Sequence, residues 1–491
     1  MSTIAPHWLN QRMITLDGNS LTFENIQAFL NGAPVGISPD SIQNLQQVRL
    51  SLEVMLRDGK PHYGINTGFG ALATQKIPSD ALSKLQHNLI RSHAVGVGEP
   101  LIFDESRILL LLRANTLAKG HSGCRPIILK YLTKLLNNGC AGFIPCKGSV
   151  GASGDLAPLA HQAMMLLGEG QAMVNGQVVS ATTALQKAEL KPIQLEAKEG
   201  LALINGTQAM CARGCMQLLA SKHLAKLADE VGAMTTDALL GSTKAFDPRV
   251  QAIRNHPGQV TSAAKIAGML KGSELLASHQ DCDRVQDPYS IRCMPQVHGA
   301  TRDVIQHVED VLTREMNAAT DNPLVFGYNS VILANAGILS EPKADSRLHG
   351  NDRPSQNKLE IISGGNFHGQ PIALALDYLC MAIAELGNIS DRRIELMLDP
   401  NKSRGLPAFL TPNPGLNSGF MMLQVTAAAL INENKVLCHP ACVDSIPTSA
   451  GQEDHVSMGM TSANKLKTIV ENVQTILNIE LMCAAQAIDL R

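Results

Sequence analysis

Long apolar runs, in which Ala, Leu and Met recur at helical spacing, dominate the chain after about residue 201. Apolar residues three and four positions apart form one face of an α-helix, so each run predicts a helix. The helices are expected at roughly 205–240, 296–319, 370–398, 418–438 and 462–487. Long helices that follow one another in this way predict a bundle.

The pattern before residue 200 is broken into shorter elements. Two short β-like runs flank Asp17-Gly18-Asn19, and Asn175-Gly176 between two apolar runs is typical of a β-hairpin. Capping residues and prolines place the short helices. These are expected at 41–57, at 82–91, from an N-cap at Asp104 to about residue 118, and from Pro126 to about residue 138.

The sequence therefore predicts a mainly α fold with two parts. Residues 1–200 form an N-terminal lobe of short helices with little β, and residues 201–491 form a bundle of long helices. Aromatic residues make up only 3% of the chain, which argues against a β-rich fold. Residues 327–361 differ from their surroundings because they are polar and contain helix breakers, so we expect a surface insertion there.

Composition adds an expectation about assembly. The chain has 491 residues, of which 45% are hydrophobic and only 17% are charged. A monomer of this size needs more solvated charge, so we expect large subunit interfaces and a homo-oligomer. The net charge of −2 and the pI near 6.7 argue against nucleic acid or an anionic membrane as a partner.

Targeting signals and cysteine usage favour a cytoplasmic protein without a metal. The first residues lack the basic and apolar regions of a signal peptide. The most apolar later run, 371–389, carries Asp377 and Glu385, which favours a buried helix over a membrane span. The eleven cysteines are scattered, as in a reducing compartment. Cys438 and Cys442 beside His439 provide too few ligands for a metal site.

Candidate chemistry centres on the loop Gly148-Ser149-Val150-Gly151-Ala152-Ser153-Gly154-Asp155, which leads into a predicted helix with Asp155 as N-cap. Such a loop can be an anion cradle, a nucleophile turn or a site of backbone chemistry. The cradle lacks a lysine, and a nucleophile elbow requires glycine where Asp155 stands. His161, eight residues after Ser153, is expected to be a packed helix residue rather than a base.

Backbone cyclisation is the third possibility. Gly154 has no side chain, so its amide nitrogen can bend back onto the carbonyl of Ala152. Loss of water from that ring and from Ser153 would leave an exocyclic methylidene, which is a strong electrophile. The positive end of the following helix would keep the ring electron-poor.

These motifs together resemble the aromatic amino-acid ammonia-lyase family. The resemblance extends over nearly the whole chain, from Tyr63-Gly64-Ile65-Asn66-Thr67-Gly68-Phe69-Gly70 to Gln452-Glu453-Asp454-His455-Val456-Ser457-Met458. It implies that Ala152, Ser153 and Gly154 form a 4-methylideneimidazole-5-one group (MIO) without an external cofactor. It also implies a homotetramer whose active sites are shared between subunits.

The resemblance also implies roles for distant residues. Tyr63, in a Gly-rich loop, would act in removing the β-proton of the substrate, and Asn205 would hold the prosthetic group or the substrate. Arg292 would bind the substrate carboxylate through two parallel hydrogen bonds. Gln286 and Tyr289 would line the site, and Phe367 would pack near the prosthetic group.

Two positions bear on the substrate. His93, after Ser92, and Glu453 resemble the branch of the family that acts on histidine, and together they could pair both nitrogens of an imidazole. The expected reaction is elimination of ammonia from L-histidine to give trans-urocanate, the first step of histidine degradation. Glu453 could instead be the base in place of Tyr63. A tyrosine or phenylalanine ammonia-lyase, an aminomutase and a catalytically silent scaffold disabled by the insertion remain alternatives.

Overall fold

The computed structural model describes residues 13–68, 70–72, 74–279, 285–326 and 359–491. These residues form two compact units. The first comprises residues up to Ala212, Thr313–Gly369 and Ser445–Met460; the second comprises Arg213–Leu312, Gln370–Asp444 and Thr461–Arg491. The units alternate along the chain, so a single cut at residue 200 does not separate them. The predicted two-domain division at that residue stays a prediction.

Most short helices lie in the first unit. They begin where the sequence supplies a cap or a proline: Thr22 Oγ1 accepts from Asn25 N at 3.3 Å, and Pro126 is the first helical residue of its helix. Their bounds are Phe23–Leu30 (α1), Pro39–Met55 (α2), Leu82–His93 (α3), Phe103–Ala118 (α4), Pro126–Asn137 (α5), Leu156–Met164 (α6), Ala181–Lys187 (α7) and Glu199–Ile204 (α8).

The long helices belong mainly to the second unit, and they confirm the predicted bundle segments to within a few residues. The helices after α8 are Gln208–Ala238 (α9), Pro248–Ala252 (α10), Pro257–Met269 (α11), Glu274–Ala277 (α12), Tyr289–Arg292 (α13), Met294–Met316 (α14), Gln370–Leu398 (α15), Met421–Leu437 (α16) and Gly459–Asp489 (α17). Helix α15 is long and apolar enough to cross a membrane. However, 67% of its most apolar 18-residue stretch is buried, as expected of a core helix.

The strands of the described residues are short and form small separate sheets. Three sheets have two strands, with β1 parallel to β2 and the pairs β3–β5 and β8–β9 antiparallel, and one has three strands in the order β4-β6-β7. Their bounds are Ile14–Leu16 (β1), Val35–Ile37 (β2), Val97–Pro100 (β3), Cys140–Gly142 (β4), Pro145–Lys147 (β5), Gln171–Val174 (β6), Gln177–Ser180 (β7), Leu324–Phe326 (β8) and Glu360–Ile362 (β9).

Local predictions in the first 200 residues had mixed outcomes. The hairpin at Asn175-Gly176 is confirmed, with Val174 paired to Gln177. The apolar residues after Asn19 do not form the second expected strand, because β1 pairs with β2 beyond helix α1. Asp104 is not the N-cap of α4. That position is Ile102, whose backbone N–H donates to Glu105 Oε2 at 3.3 Å.

The predicted insertion lies largely outside the described residues, from 327 to 358. Its two flanks are described and lie side by side, because Phe326 on β8 pairs with Glu360 on β9. Residues 360 and 361 therefore belong to a strand rather than to a surface excursion. The motif at 363–369 follows directly after β9.

Each unit has its own hydrophobic packing. In the first unit, Ile65 is fully buried against Leu52 and Ala197, which fixes the base of the loop that carries Tyr63. The second unit has a larger core to which α9, α15 and α17 contribute, with Ala238, Met397 and Ile476 among its fully buried members. Glu480 on α17 forms a buried ion pair with Arg393 on α15 within this core, with Nε 2.6 Å from Oε1.

Candidate active site

Three mutually packed helices of the first unit place the Gly-rich loop. Helices α3, α6 and α8 pack against one another. His93 is the last residue of α3, the loop 148–155 immediately precedes α6, and Asn205 is the C-cap of α8. Packing of these helices therefore brings together parts of the sequence that spacing alone does not relate.

Gly154 occupies a position that only glycine can take. Its φ is +72°, in the left-handed region, and a Cβ there would lie 2.2 Å from the carbonyl oxygen of Gly206. The next amide, Asp155 N, donates to that same oxygen at 2.6 Å. The chain beyond the tripeptide is thus held tightly against the turn that follows Asn205.

Ser153 is the meeting point of two predicted site residues. Its hydroxyl donates to Glu453 Oε1 at 2.7 Å, and its carbonyl oxygen accepts from Asn205 Nδ2 at 3.0 Å. Asn205 is buried, with 4% of its surface exposed, and Glu453 is half-buried. Three segments separated by up to 300 residues along the chain therefore converge on Ser153.

Glu453 lies in a short turn that is next to the Tyr63 loop. Thr448 and Glu453 form an isolated antiparallel bridge, and the Thr448 hydroxyl donates to Glu453 Oε2 at 2.5 Å. The helical turn Ser449–Gly451 within this segment contacts Gly70–Leu72. Tyr63 reaches the same place, since its hydroxyl oxygen accepts from Gly70 N at 3.4 Å.

The segment with Phe367 approaches the loop through its backbone. Gly369 N donates to the carbonyl oxygen of Gly151 at 3.1 Å, two residues after the half-buried Phe367. His368 stacks on His455 with ring centroids 5.7 Å apart. The backbone of the segment that carries Phe367 therefore lies against this loop.

His93 is held at the end of α3 by local bonds. Its Nδ1 lies 2.8 Å from Leu89 O and 3.0 Å from Ser92 Oγ. His161 has the packing role expected from the sequence, because its Nε2 accepts from Gly96 N at 3.0 Å. Burial lowers the pKa of His161, which favours the neutral imidazole that can accept this bond.

Asp155 does not cap its own helix, although it occupies the N-cap position of α6. Its carboxylate instead accepts from Met210 N at 2.9 Å, in the first turn of α9, and from Ser149 Oγ at 2.8 Å. Burial raises the pKa of Asp155 to about 6 despite these bonds. Burial also raises the pKa of Glu315, which accepts from Thr207 just before α9.

The other predicted residues lie in the second unit, at and just before α13. The guanidinium of Arg292 stacks on the ring of Tyr289, 4.6 Å from its centroid. Its Nε is buried and makes no hydrogen bond within the described residues. Tyr289 is 71% exposed, and Gln286 is exposed as well. Among the described residues, Arg292 therefore has one buried donor, Nε, without an acceptor, and its guanidinium lies on the exposed ring of Tyr289.

Comparison with known proteins identifies the family. The model of the family described as aromatic amino acid lyase matches residues 21–491. The chain belongs to the aromatic amino acid lyase family. A histidine ammonia-lyase of Anaeromyxobacter dehalogenans is 53% identical over 488 residues, which cover 97% of this chain and 90% of that relative. A histidine ammonia-lyase of Gloeobacter violaceus is 50% identical over 479 residues, which cover 97% of this chain and 88% of that relative.

Solved structures of other lyases and of aminomutases share the fold. The crystal structure of histidine ammonia-lyase from Trypanosoma cruzi is 44% identical with a TM-score of 0.83, covering 98% of this chain and 85% of that one. Tyrosine aminomutase from Streptomyces globisporus is 36% identical with a TM-score of 0.86, covering 98% of this chain and 89% of that one. The ammonia-lyase fold expected from the sequence is confirmed.

The aromatic amino acid lyase family uses the MIO group, and the residues around the tripeptide fit it. Gly154 has the backbone conformation that a substituted residue cannot adopt beside Gly206. Asn205 Nδ2 already bonds the Ser153 carbonyl, while the buried Oδ1 of Asn205 makes no hydrogen bond within the described residues. A buried acceptor without a donor is costly unless a ligand supplies one.

Several residues that hold the loop, Glu453 or Asn205 in place were missed by sequence reasoning. Ser149 and Ser457 bond the loop backbone, Thr448 bonds Glu453, and Arg113 donates from Nη1 to the carbonyl oxygen of Asn205 at 2.9 Å. The partners of Ser457 and Arg113 are distant in the chain, and a serine or threonine near its partner, as at Ser149 and Thr448, has no distinctive sequence pattern.

The described residues contain no group of three or more His, Cys, Asp or Glu side chains arranged to hold a metal. Cys211 and Cys215 are buried, as are Cys380 and Cys442. Burial raises the pKa of Cys442 to about 11, so this thiol stays protonated at neutral pH. These cysteines behave as small buried side chains.

Proposed function

We propose that the chain is a histidine ammonia-lyase, a carbon–nitrogen lyase that eliminates ammonia from L-histidine to give trans-urocanate, the first step of histidine degradation. Relatives of that name with about half of their residues identical support the proposal. The observation that carries it is the junction at Ser153, where Glu453 and Asn205 meet the Ala-Ser-Gly tripeptide.

Ala152, Ser153 and Gly154 are the proposed source of the prosthetic group. Once formed, the MIO group supplies a strong electrophile that no ordinary side chain offers. Asn205 would hold the ring through the oxygen of the former Ser153 carbonyl, and Phe367 would pack near it. In the mature protein, residue 153 would no longer be a serine.

The chain's own residues would bind the substrate and move its protons. Arg292 would bind the carboxylate, since its planar fork of N–H donors matches two carboxylate oxygens. Gln286 and Tyr289 would line the same region. The β-proton is weakly acidic, so its base must be close and in a dry site. Tyr63 and Glu453 are both candidates for that base.

Selection of histidine would rest on His93 and Glu453. An imidazole presents one donor and one acceptor, and a neutral histidine with a carboxylate can satisfy both. A phenyl ring in the same place would leave both side chains unpaired, which discriminates strongly against phenylalanine.

The enzyme is proposed to be a cytoplasmic homotetramer with shared active sites, and no nucleic acid or membrane is expected as a partner. Helix α15 exposes Leu374, Tyr378 and Met381 at helical spacing, with exposures of 53%, 47% and 43%. Apolar side chains exposed along one face of a helix support an interaction surface there. The 71% exposure of Tyr289 also supports completion of the site by another copy, because the chemistry requires exclusion of water.

The direct test is the ultraviolet absorbance of urocanate when the protein is mixed with L-histidine. Tyrosine and phenylalanine serve as competing substrates. Absorbance should rise only with histidine; coumarate or cinnamate in its place would contradict the assignment of substrate.

An aminomutase is the second candidate, because tyrosine aminomutase from Streptomyces globisporus has the same fold. Product analysis distinguishes the two, since an aminomutase would retain the amino group and yield a β-amino acid.

Ser153→Ala should fold but lose turnover under either reaction. The wild-type protein should be lighter by two waters than the mass calculated from its sequence, whereas Ser153→Ala should have its full calculated mass.

A further inference from the structure

The hydroxyl of Ser149 joins the two sides of the tripeptide. It accepts from Gly151 N at 3.2 Å, immediately before Ala152, and it donates to Asp155 Oδ1 at 2.8 Å, immediately after Gly154. The carbonyl oxygen of Gly154 lies 3.3 Å from the same hydroxyl. One side chain therefore spans the segment that would cyclise.

The other anchors hold one side each. Before the tripeptide, the carbonyl oxygen of Gly151 accepts from Ser457 Oγ at 3.0 Å and from Gly369 N at 3.1 Å. After it, Asp155 N donates to Gly206 O at 2.6 Å. Gly151 O thus has two donors, whereas Gly151 N has the Ser149 hydroxyl as its acceptor.

Formation of the prosthetic group, here called maturation, makes geometric demands on this segment. The Gly154 nitrogen attacks the Ala152 carbonyl carbon, and a C–N bond forms. The Ala152 oxygen leaves as water with the amide protons of Gly154 and Ser153. The second water takes the Ser153 hydroxyl and its Cα proton, which leaves the exocyclic double bond. Ring closure is unimolecular, so its rate depends on how often the two reacting atoms are held close together.

We infer that Ser149 is a positioning residue for maturation: its hydroxyl holds Gly151 and Asp155 at the separation from which the backbone between them cyclises. The inference rests on the proposed function, because it presumes that the tripeptide forms the MIO group. Ser149 does not touch the atoms that react. It acts through the two residues that flank them.

The test measures maturation itself instead of turnover. Full-length protein is made by cell-free synthesis, samples are denatured at timed intervals, and the peptide containing residues 148–155 is analysed by mass spectrometry. The readout is the fraction of peptide lighter by two waters. Ser149→Ala should slow its appearance at least about tenfold, equivalent to about 1.4 kcal/mol in the barrier.

Three further variants separate positioning from a general structural effect. Ser149→Thr keeps the hydroxyl and should restore the wild-type rate. Ser457→Ala removes the other hydroxyl that bonds Gly151 but leaves Gly369 N on the same oxygen, so it should mature close to the wild-type rate. If Ser149→Ala does not fold, Ser149→Cys has a similar shape with only a weak donor and should be slow.

The outcomes are distinct. Wild-type maturation in Ser149→Ala or Ser149→Cys overturns the inference, as does equal slowing in Ser149→Ala and Ser457→Ala. If the wild-type peptide does not lose two waters, the proposed function on which the inference rests is wrong.

Discussion

The two amide atoms of Asn205 differ in their surroundings. Its Nδ2 donates to Ser153 O at 3.0 Å, while its buried Oδ1 makes no bond within the described residues. Removing a preorganised donor of this kind typically costs a factor of 10² to 10³ in kcat. Asn205→Ala should therefore lower kcat by about that factor with a smaller change in KM, as measured by urocanate formation.

A matched control is Asn115→Ala in the same unit. Asn115 is equally buried and bonds Gly18 N and Met316 O, away from the loop. This variant should be less stable but should keep its turnover per folded molecule. A similar loss of kcat in both variants would mean that the Asn205 effect is structural.

Asp155 makes a pH-dependent contribution to stability. Burial raises its pKa from 3.8 to about 6, so between these values the folded chain holds a proton that the unfolded chain has lost. The stability that this carboxyl group contributes therefore falls as the pH rises from about 4 to about 6.

The variant Asp155→Asn tests this, because its side chain cannot titrate. Relative to the variant, wild type should lose about 1.4 kcal/mol between pH 5 and pH 7, seen as a falling difference in thermal midpoints. A constant difference would contradict a raised pKa.

Elements differ in how far the sequence predicts them. Helix α15 is found at Gln370–Leu398, matching its predicted range, because a continuous apolar face determines it locally. The partner of β1 was not predicted, since the strand with which it pairs begins only at Val35. The same limit applies to the site. No spacing relates Glu453 to Ser153, and only the family resemblance connected them before the structure placed them 2.7 Å apart.

A buried ion pair lies at the start of helix α8. Lys198, the N-cap of α8, and Asp321 are both fully buried, with Nζ 2.9 Å from Oδ2. Burial lowers the pKa of Lys198, and Asp321 opposes that shift. Lys198→Met should cost about 3 kcal/mol because it leaves a buried carboxylate with Arg113 4.0 Å away as the remaining cation.

The double variant Lys198→Met/Asp321→Leu tests this explanation by thermal unfolding. Replacing both charges with apolar side chains should recover much of the lost stability. A double variant that is as unstable as the sum of its single variants would show that the ion pair is not the cause. Because Asn205 is the C-cap of α8, turnover should fall in the single variant even at temperatures where it remains folded.

At the scale of the whole molecule, low charge and exposed apolar helices have one explanation. The chain has only 17% charged residues, and helix α16 has Ala427 and Asn434 as its buried residues. Met422, Val425 and Val436 on that helix are 62%, 53% and 70% exposed. A surface this apolar is unfavourable in water, so the proposed tetramer would bury it.

Charges placed on this surface should therefore separate the subunits. In Met422→Glu/Val425→Glu, assembly would have to bury two carboxylates without partners, which is costly. We expect a smaller species by analytical ultracentrifugation and loss of urocanate formation, since the shared sites would be incomplete. Val178→Glu is the matched control, because Val178 is 52% exposed on the β6–β7 hairpin of the first unit. If the double variant has the same size and activity as this control, the interface lies on another surface. That other surface would then have to account for the low charge of the chain.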